Sequence, residues 1–218
     1  MHIIEDKADR SAIGLHNDYH FITHWLVRGT VEEVSAILGD AAALPDWWPS
    51  VYLDVDVLQQ GDERGVGKVV DLYTKGWLPY TLRWQFRVTE VRADGFTLVA
   101  RGDFVGRGIW TFEQDGEWVR ITYDWKLSAE KPLLRYGSFL MKPIFAANHR
   151  WAMARGEESL QLEIARRRAK SAEERARIPV PPSPTTTSSV PLLASIAGVV
   201  VVGYLMMKFS SQKRQGRS

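Results

Sequence analysis

The sequence predicts an α+β domain in which a curved antiparallel sheet of about seven strands packs on one long helix near its C-terminal end. Apolar and polar residues alternate at short intervals between residues 19 and 127, with hairpin signals at Asp94-Gly95 and Asp115-Gly116. Between residues 132 and 170, apolar residues recur with helical spacing instead. Hairpin-linked strands favour an antiparallel sheet, and a long amphipathic helix would cover one of its faces.

The first strand begins at residue 19, where apolar residues fall on both faces in places. Thr30 is a good helix N-cap, and Glu33 stands three residues later, which is the capping-box pattern. We therefore predict a short helix that ends at Gly39, followed by a second short helical piece at residues 41–43.

Residues 44–50 read Leu-Pro-Asp-Trp-Trp-Pro-Ser. Because two prolines enclose this stretch, we expect an irregular loop rather than a regular helix or a central strand. Two adjacent tryptophans in such a loop would either plug one end of the core or lie at the mouth of a cavity. The sequence leaves both interpretations open.

Alternation predicts six further strands in the remainder of the sheet. Their approximate bounds are 51–57, 68–75, 82–89, 96–104, 109–113 and 119–127. Gly106-Arg107-Gly108 is interpreted as the break between the fourth and fifth of these strands, because glycine in a strand often marks a bend or bulge.

The long helix is predicted from Pro132 to Lys170, with a kink or restart near Pro143. Its apolar positions form two rows: Leu133, Tyr136, Leu140, Ile144, Ala147, Trp151 and Ala154, and then Met153, Leu160 and Ile164. The simplest interpretation is a packing helix. The alternative is that part of its inner face also lines a ligand cavity.

Composition excludes several kinds of site. The chain has no cysteine, so it forms no disulfide, no thiolate zinc site and no cysteine nucleophile. His20 and His24, two of the five histidines, fall on the same side of the predicted first strand, and two ligands alone do not make a metal site. Net charge is +2, with the basic excess after Arg150, which argues against a nucleic-acid surface. We expect no metal and no cofactor.

The C-terminal part of the sequence changes character. Residues 170–189 are first charged and then rich in Pro, Thr and Ser, so we expect a stiff, extended linker with little apolar burial. An uncharged apolar run then begins at Val190 and ends at Met207, and it predicts a transmembrane helix, followed by a basic tail at 208–218. Because the lead-in 1–18 has no apolar core typical of a secretory signal, we expect a single-pass, C-terminally anchored protein with a cytoplasmic domain.

Three segments of residues 19–169 resemble a known superfamily. They are Pro45-Asp46-Trp47-Trp48-Pro49, Gly67-Lys68-Val69, and the helical stretch from Asn148-His149-Arg150-Trp151 to Gly156-Glu157-Glu158-Ser159-Leu160. Together with the order of elements, they are similar to the START-like helix-grip (SRPBCC) superfamily, and more closely to its polyketide cyclase/dehydrase and coenzyme-Q-binding-protein branch. The resemblance implies a sheet wrapped on the long helix, with a hydrophobic ligand such as a lipid, quinone, sterol or polyketide between them.

Three functions are compatible with this sequence. The first is a membrane-anchored domain that binds or transfers a hydrophobic small molecule. The second is a cyclase/dehydrase-like enzyme, in which His149 or Asp46 would supply acid–base chemistry. The third is an anchored interaction module whose cavity is filled by its own tryptophans. The residues we expect to line the cavity are Trp47, Trp48, Trp77, Trp84, Phe86, Phe104, Trp110, Trp125, Phe145, His149 and Trp151.

Overall fold

The computed structural model of the chain describes residues 18–129 and 138–185. Several predictions concern other parts of the chain and lie outside the described residues: the lead-in before residue 18, the start of the long helix at Pro132, and the basic tail. The predicted transmembrane span, from Val190 to Met207, lies outside them too, so it stays a prediction. Within the described residues, no helix is both long and apolar enough to cross a membrane.

Seven strands form one antiparallel sheet in the order β1-β7-β6-β5-β4-β3-β2. Their bounds are β1 (Asp18–Arg28), β2 (Tyr52–Gln59), β3 (Val69–Lys75), β4 (Thr81–Arg92), β5 (Gly95–Gly102), β6 (Phe104–Asp115) and β7 (Trp118–Ala129). The described helices are α1 (Val31–Gly39), a 3-10 turn (Ala41–Ala43), α2 (Leu44–Trp47), α3 (Ser138–Arg168) and α4 (Ala172–Arg177). The predicted α+β class is confirmed.

The start of α1 follows the sequence prediction closely. The Thr30 hydroxyl accepts a hydrogen bond from the Glu33 amide at 3.3 Å, and the Glu33 carboxylate accepts one from the Thr30 amide at 2.8 Å. These reciprocal bonds satisfy two amides that a helix start would otherwise leave unpaired. Val34 and Ile37 then bury the inner face of α1 completely.

Residues 44–50 are not wholly irregular, which corrects our expectation of a loop. Leu44–Trp47 form one turn of helix, α2. Pro45 is tolerated there because it stands in the first turn, where a backbone N–H has no partner within the helix. This turn brings Trp47 and Trp48 into the core, where they are 1 % and 3 % exposed.

The break between β5 and β6 also differs from the prediction. It falls at Gly102, whose φ of 118° is rarely adopted by other residues, and not at Gly106 to Gly108. Gly106 and Gly108 lie within β6, opposite Leu127 and Trp125 of β7. A Cβ on Gly108 would lie 2.7 Å from the hydroxyl of Tyr123, so the glycine makes room for an aromatic ring.

One end strand of the sheet, β1, is covered by α3. The amide of Leu26 donates to the Glu157 carboxylate at 2.8 Å, and the amide of Arg28 donates to the Gln161 side chain at 2.7 Å. These bonds occupy backbone donors that an open sheet edge would present to other chains. They also fix the direction of α3 relative to the sheet.

The core-facing stripe of α3 is the second of the two predicted rows. Met153, Leu160 and Ile164 are at most 6 % exposed. In the other row, Trp151 is half-buried and Ala154 is exposed, so this row does not lie in the core. Pro143 lies inside the helix at an exposed position.

The segment after α3 is less extended than we expected. Residues 172–177 form α4, which begins where the hydroxyl of Ser171 accepts a hydrogen bond from the Glu174 amide. Pro181 is buried, although we expected little apolar burial in this segment. Our prediction was wrong here because it considered the linker alone, whereas the folded domain offers it a surface on which to pack.

Candidate functional site

A cavity of about 170 Å³ lies between the inner face of the sheet and the first half of α3. It is lined by Tyr19, Phe21, Trp48, Val51, Tyr52, Thr74, Lys75, Gly76, Tyr80, Leu82, Trp84, Phe104, Tyr123, Trp125, Leu127, Phe145, Asn148, His149, Ala152 and Met153. No Asp or Glu is among these lining residues. Half of the set is aromatic, so most of the wall is apolar with a few polar groups, as in typical small-molecule sites.

Ring contacts hold the sheet side of the cavity in place. Trp84 packs on Phe104 and Trp125 with ring centroids 4.9 and 6.0 Å apart. Tyr123 stacks between Trp110, at 4.0 Å, and Trp125, at 5.6 Å. Because each ring contacts at least one other ring, this wall is preformed rather than assembled by a ligand.

His149 is the one histidine of the cavity wall. Its ring stacks on Phe21 with centroids 4.2 Å apart and planes 17° apart, and its Nε2 lies 3.4 Å from the hydroxyl of Thr23. Burial lowers the pKa of His149 to about 4, and the neighbouring charge of Arg150 acts in the same direction. The imidazole is therefore neutral near pH 7.

The tyrosines of the wall are neutral too. Burial raises the pKa of Tyr19, Tyr52, Tyr80 and Tyr123 above that of a free phenol. The hydroxyl of Tyr19 and the indole Nε1 of Trp48 are both buried, and neither has a hydrogen-bond partner among the described residues. Such groups usually find a partner when buried, so these two could serve a ligand's polar atoms.

The turn between β3 and β4 is fastened to α3 at one side of the cavity. The side-chain oxygen of Asn148 accepts hydrogen bonds from the amides of Trp77, at 2.9 Å, and Leu78, at 3.3 Å. Gly76 is required beneath this contact, because a Cβ there would lie 2.1 Å from the Asn148 oxygen. Lys75, the residue before Gly76, donates a hydrogen bond from Nζ to the carbonyl of Thr185 at 2.8 Å.

Six of the eleven residues predicted to line the cavity do so: Trp48, Trp84, Phe104, Trp125, Phe145 and His149. Five do not: Trp47, Trp77, Phe86, Trp110 and Trp151. Trp47 and Trp110 instead belong to the packed core, and Phe86 lines a separate cavity beneath α1. Asp46, the other catalytic candidate, is exposed in α2 and does not reach the cavity.

Sequence reasoning missed most of the polar wall. It overlooked Tyr19, Tyr52, Tyr80, Tyr123 and Asn148, because it searched for tryptophans and charged residues. A usable signal was present for Tyr123, which stands two residues before Trp125 and so shares its face of β7. Asn148 had no comparable signal, since its role depends on a turn about 70 residues away.

Metal ligands do not converge at this cavity. Within residues 18–129 and 138–185, no three His, Cys, Asp or Glu side chains are close enough together to hold a metal ion. His20 and His24 point away from the cavity and bond to Asp124 and Thr122 of β7, respectively.

Comparison with solved structures finds neighbours of low sequence identity. No protein-family model matches the chain, and no curated protein matches it. The Zhui aromatase/cyclase from Streptomyces sp. R1128 is 15 % identical with a TM-score of 0.57, covering 71 % of this chain and 98 % of its own. A START superfamily protein from Mycobacterium smegmatis is 15 % identical with a TM-score of 0.53, covering 66 % and 96 %.

A third neighbour is norcoclaurine synthase from Thalictrum flavum in complex with dopamine and hydroxybenzaldehyde. It is 16 % identical, with a TM-score of 0.50, and covers 76 % of this chain and 100 % of its own. At these identities the likeness concerns architecture, not activity. The seven-stranded sheet closed on α3, taken with these neighbours, shows that the chain has the START-like helix-grip fold.

Proposed function

We propose that this domain binds the apolar part of an uncharged hydrophobic small molecule and that the run from Val190 to Met207 anchors it at a membrane. The observation that carries the proposal is the aromatic cavity between α3 and the sheet, whose polar wall groups are neutral apart from Lys75 and include no carboxylate. Burying a charged ligand group there would be costly, because the one charged lining residue, Lys75, already donates from Nζ to the Thr185 carbonyl.

The size of the cavity limits what fits inside. Its volume of about 170 Å³ is close to the roughly 150 Å³ of an engineered apolar cavity that binds benzene. It is smaller than the roughly 300–1,000 Å³ of typical drug-sized sites. One aromatic ring or a short acyl segment would therefore lie inside, and a larger molecule would extend through the opening.

The polar groups of the wall suggest how such a ligand is oriented. The Tyr19 hydroxyl and the Trp48 indole N–H are buried donors without a partner among the described residues. A carbonyl, ether or hydroxyl oxygen on the ligand could accept from either of them. A quinone, sterol or polyketide-like molecule has this combination of rings and neutral oxygens.

The structural neighbours support a small ring compound as the ligand of this chain, but they do not identify it. One of them holds dopamine and hydroxybenzaldehyde, so the helix-grip fold accommodates small ring compounds. Two others are an aromatase/cyclase and a START superfamily protein. These likenesses are of fold, and the ligand of this chain is inferred from its own cavity wall.

The membrane part of the proposal rests on the sequence between Val190 and Met207. This run of 18 residues has no charge and would extend about 27 Å as a helix at about 1.5 Å per residue. That length suits a hydrocarbon core of about 30 Å. Anchoring would hold the cavity near the bilayer in which a hydrophobic ligand is dissolved.

A cyclase-like enzyme is the second candidate, and His149 is the observation that favours it. Its neutral imidazole lines the same cavity as four neutral tyrosines, which could act as proton acceptor and donors. A base with a pKa of about 4 is weak, however, whereas an efficient general base has a pKa near the working pH. Binding is therefore the function that this wall supports better.

The binding proposal is tested with a matched pair of helix variants. Ala152 lines the cavity, and Ala154 stands two residues later on the exposed side of α3. In Ala152→Phe the new ring should occupy the cavity and weaken binding of a neutral naphthylamine dye by at least about tenfold, or ~1.4 kcal/mol. Ala154→Phe should bind the dye as the parent chain does, in fluorescence titrations of folded protein.

Mass spectrometry of small molecules extracted from the full chain, purified from its own host, would identify the ligand. The expected result is a neutral ring compound or lipid-like molecule that co-purifies with the parent and is depleted in Ala152→Phe. Equal dye affinity of the two phenylalanine variants would contradict the proposal. So would a folded parent chain that binds neither the dye nor a host compound.

A further inference from the structure

The segment after α4 does not leave the domain where α3 ends. The first residue of this segment, Ile178, lines a surface recess together with Gln161, Ile164 and Ala165, near the C-terminal end of α3. Thr185, by contrast, contacts the β3–β4 turn: its carbonyl accepts from Lys75 Nζ at 2.8 Å, and its hydroxyl donates to the Gly76 carbonyl at 3.3 Å. The chain has therefore returned along the domain between these two points.

The distances agree with this path. Gly76 packs on Asn148, which precedes Ile164 by 16 residues and thus by about 24 Å of helix. Residues 178–185 contain four prolines and can span about 22 Å in a polyproline conformation of about 3.1 Å per residue. Pro181 is buried midway along this path, which fastens the segment at a third point.

This return places the end of the described chain beside the cavity. Lys75 and Gly76, the two residues that Thr185 contacts, both line the cavity. Tyr80, Leu82 and Phe145 also line the cavity and are half-buried, and the rings of Tyr80 and Phe145 lie 6.3 Å apart. We assign the opening of the cavity to this end of the domain and call it the cavity mouth. A spacer that leaves the domain elsewhere would not bring its far end to the mouth.

We propose that residues 178–185 form a docked strap that holds the cavity mouth toward the membrane, so that ligand passes between bilayer and cavity over a short gap. This inference rests on the membrane anchor of the proposed function. Four residues, 186–189, separate Thr185 from the predicted span. At about 3.3–3.6 Å per residue they extend at most about 14 Å. An undocked spacer of 20 residues, 170–189, would instead allow the domain to turn in any direction.

The test measures orientation and does not require a bound ligand. Because the chain has no cysteine, a single introduced cysteine labels one position. Arg101 lies near the cavity mouth at the exposed end of β5, and Glu63 lies in an exposed loop at the opposite end of the sheet. The full chain carrying Arg101→Cys or Glu63→Cys is labelled with a donor dye and reconstituted in phosphatidylcholine vesicles that contain an acceptor lipid. More energy transfer is expected from position 101 than from position 63.

Two matched insertions separate a docked strap from a free spacer. A flexible Gly-Ser insert of about 12 residues spans about 19 Å. Placed after Thr185, it lengthens the free tether, so transfer from position 101 should fall toward that from position 63. Placed between Ile178 and Pro179, it precedes the docked contacts, and transfer from position 101 should stay at the parent level.

Equal transfer from the two positions in the parent chain would overturn the strap. So would an equal loss of transfer from position 101 with the two insertions. Failure of the full chain to float with the vesicles would overturn the anchor and the strap together. A folded parent chain that binds neither the dye nor a host compound, with unequal transfer retained here, would overturn the ligand proposal alone.

Discussion

The space between the sheet and α3 has two halves that contain similar residues and behave differently. In the closed half, Trp25 packs edge-on against Trp48 at 5.5 Å and lies 5.4 Å from Trp110, so these rings fill the space beside α3. In the open half, rings such as Trp84 and Trp125 line a cavity of about 170 Å³. Both halves are rich in aromatic residues, so aromatic content does not explain why this cavity lies in the open half. The explanation must therefore lie on α3.

One stripe of α3 changes along its length. In the closed half it carries Gly156, Leu160 and Ile164, and a Cβ on Gly156 would lie 2.3 Å from the Trp48 ring. The helix therefore approaches the sheet closely there. In the open half the stripe carries Phe145 and His149, which are half-buried and keep a gap. The helix, through side-chain size, therefore decides which aromatic surface becomes core and which becomes a site.

Truncating a side chain should destabilise the closed half much more than the open half. Leu160 is 0 % exposed, so Leu160→Ala should lower the free energy of unfolding by about 2–5 kcal/mol, because it leaves a cavity in a close-packed region. Phe145→Ala removes more atoms from a half-buried position beside an existing cavity and should cost clearly less. Denaturant titrations of the two variants would measure the difference. A cost for Phe145→Ala as large as that for Leu160→Ala would mean that the open half is packed as tightly as the closed one.

The next effect is the pH dependence that His149 introduces. The pKa of this residue is lowered from 6.5 to about 4 in the folded chain, so the unfolded chain binds the proton more readily. The stability that neutral His149 contributes is therefore fully present above pH 6.5, and it is lost as the pH falls from 6.5 toward 4. The full shift corresponds to an effect on the order of 3 kcal/mol.

Chemical denaturation at pH values on either side of that window measures this effect. His149→Gln should flatten the pH dependence between them. His24→Gln removes an exposed histidine of β1 and serves as the matched control, which should keep the dependence of the parent. An unchanged pH profile in His149→Gln would assign the dependence to other groups.

The smallest of the three effects tests the close approach in the closed half. Gly156→Ala gains helix propensity of about 1 kcal/mol, but its methyl group would collide with the rigid ring of Trp48. We expect a net loss of about 1–3 kcal/mol in unfolding free energy, as overpacking usually produces. Gly39→Ala is the control, since no atom lies within 4 Å of a Cβ there. It should be neutral or slightly stabilising, and thermal melts of both variants give the comparison.

Local sequence signals predicted the elements of this fold well where the interactions are local. The capping box of Thr30 and Glu33 and the two Asp-Gly hairpins involve residues at most a few positions apart, so their chemistry is visible in the sequence. The break between β5 and β6 was misplaced because glycine has two uses. Gly102 supplies a positive φ, whereas Gly108 supplies space for Tyr123, and only the pairing of β6 with β7 distinguishes them.

The class of the fold, the position of α3 and the aromatic character of its partner surface follow from the sequence alone, because periodicity and residue size are properties of the chain. Which aromatic residues face the cavity depends instead on tertiary packing. Trp47 and Trp48 are neighbours in sequence, yet only Trp48 lines it. That choice depends on where α3 approaches the sheet, at Gly156, and where it stands away, at His149, which no local pattern records.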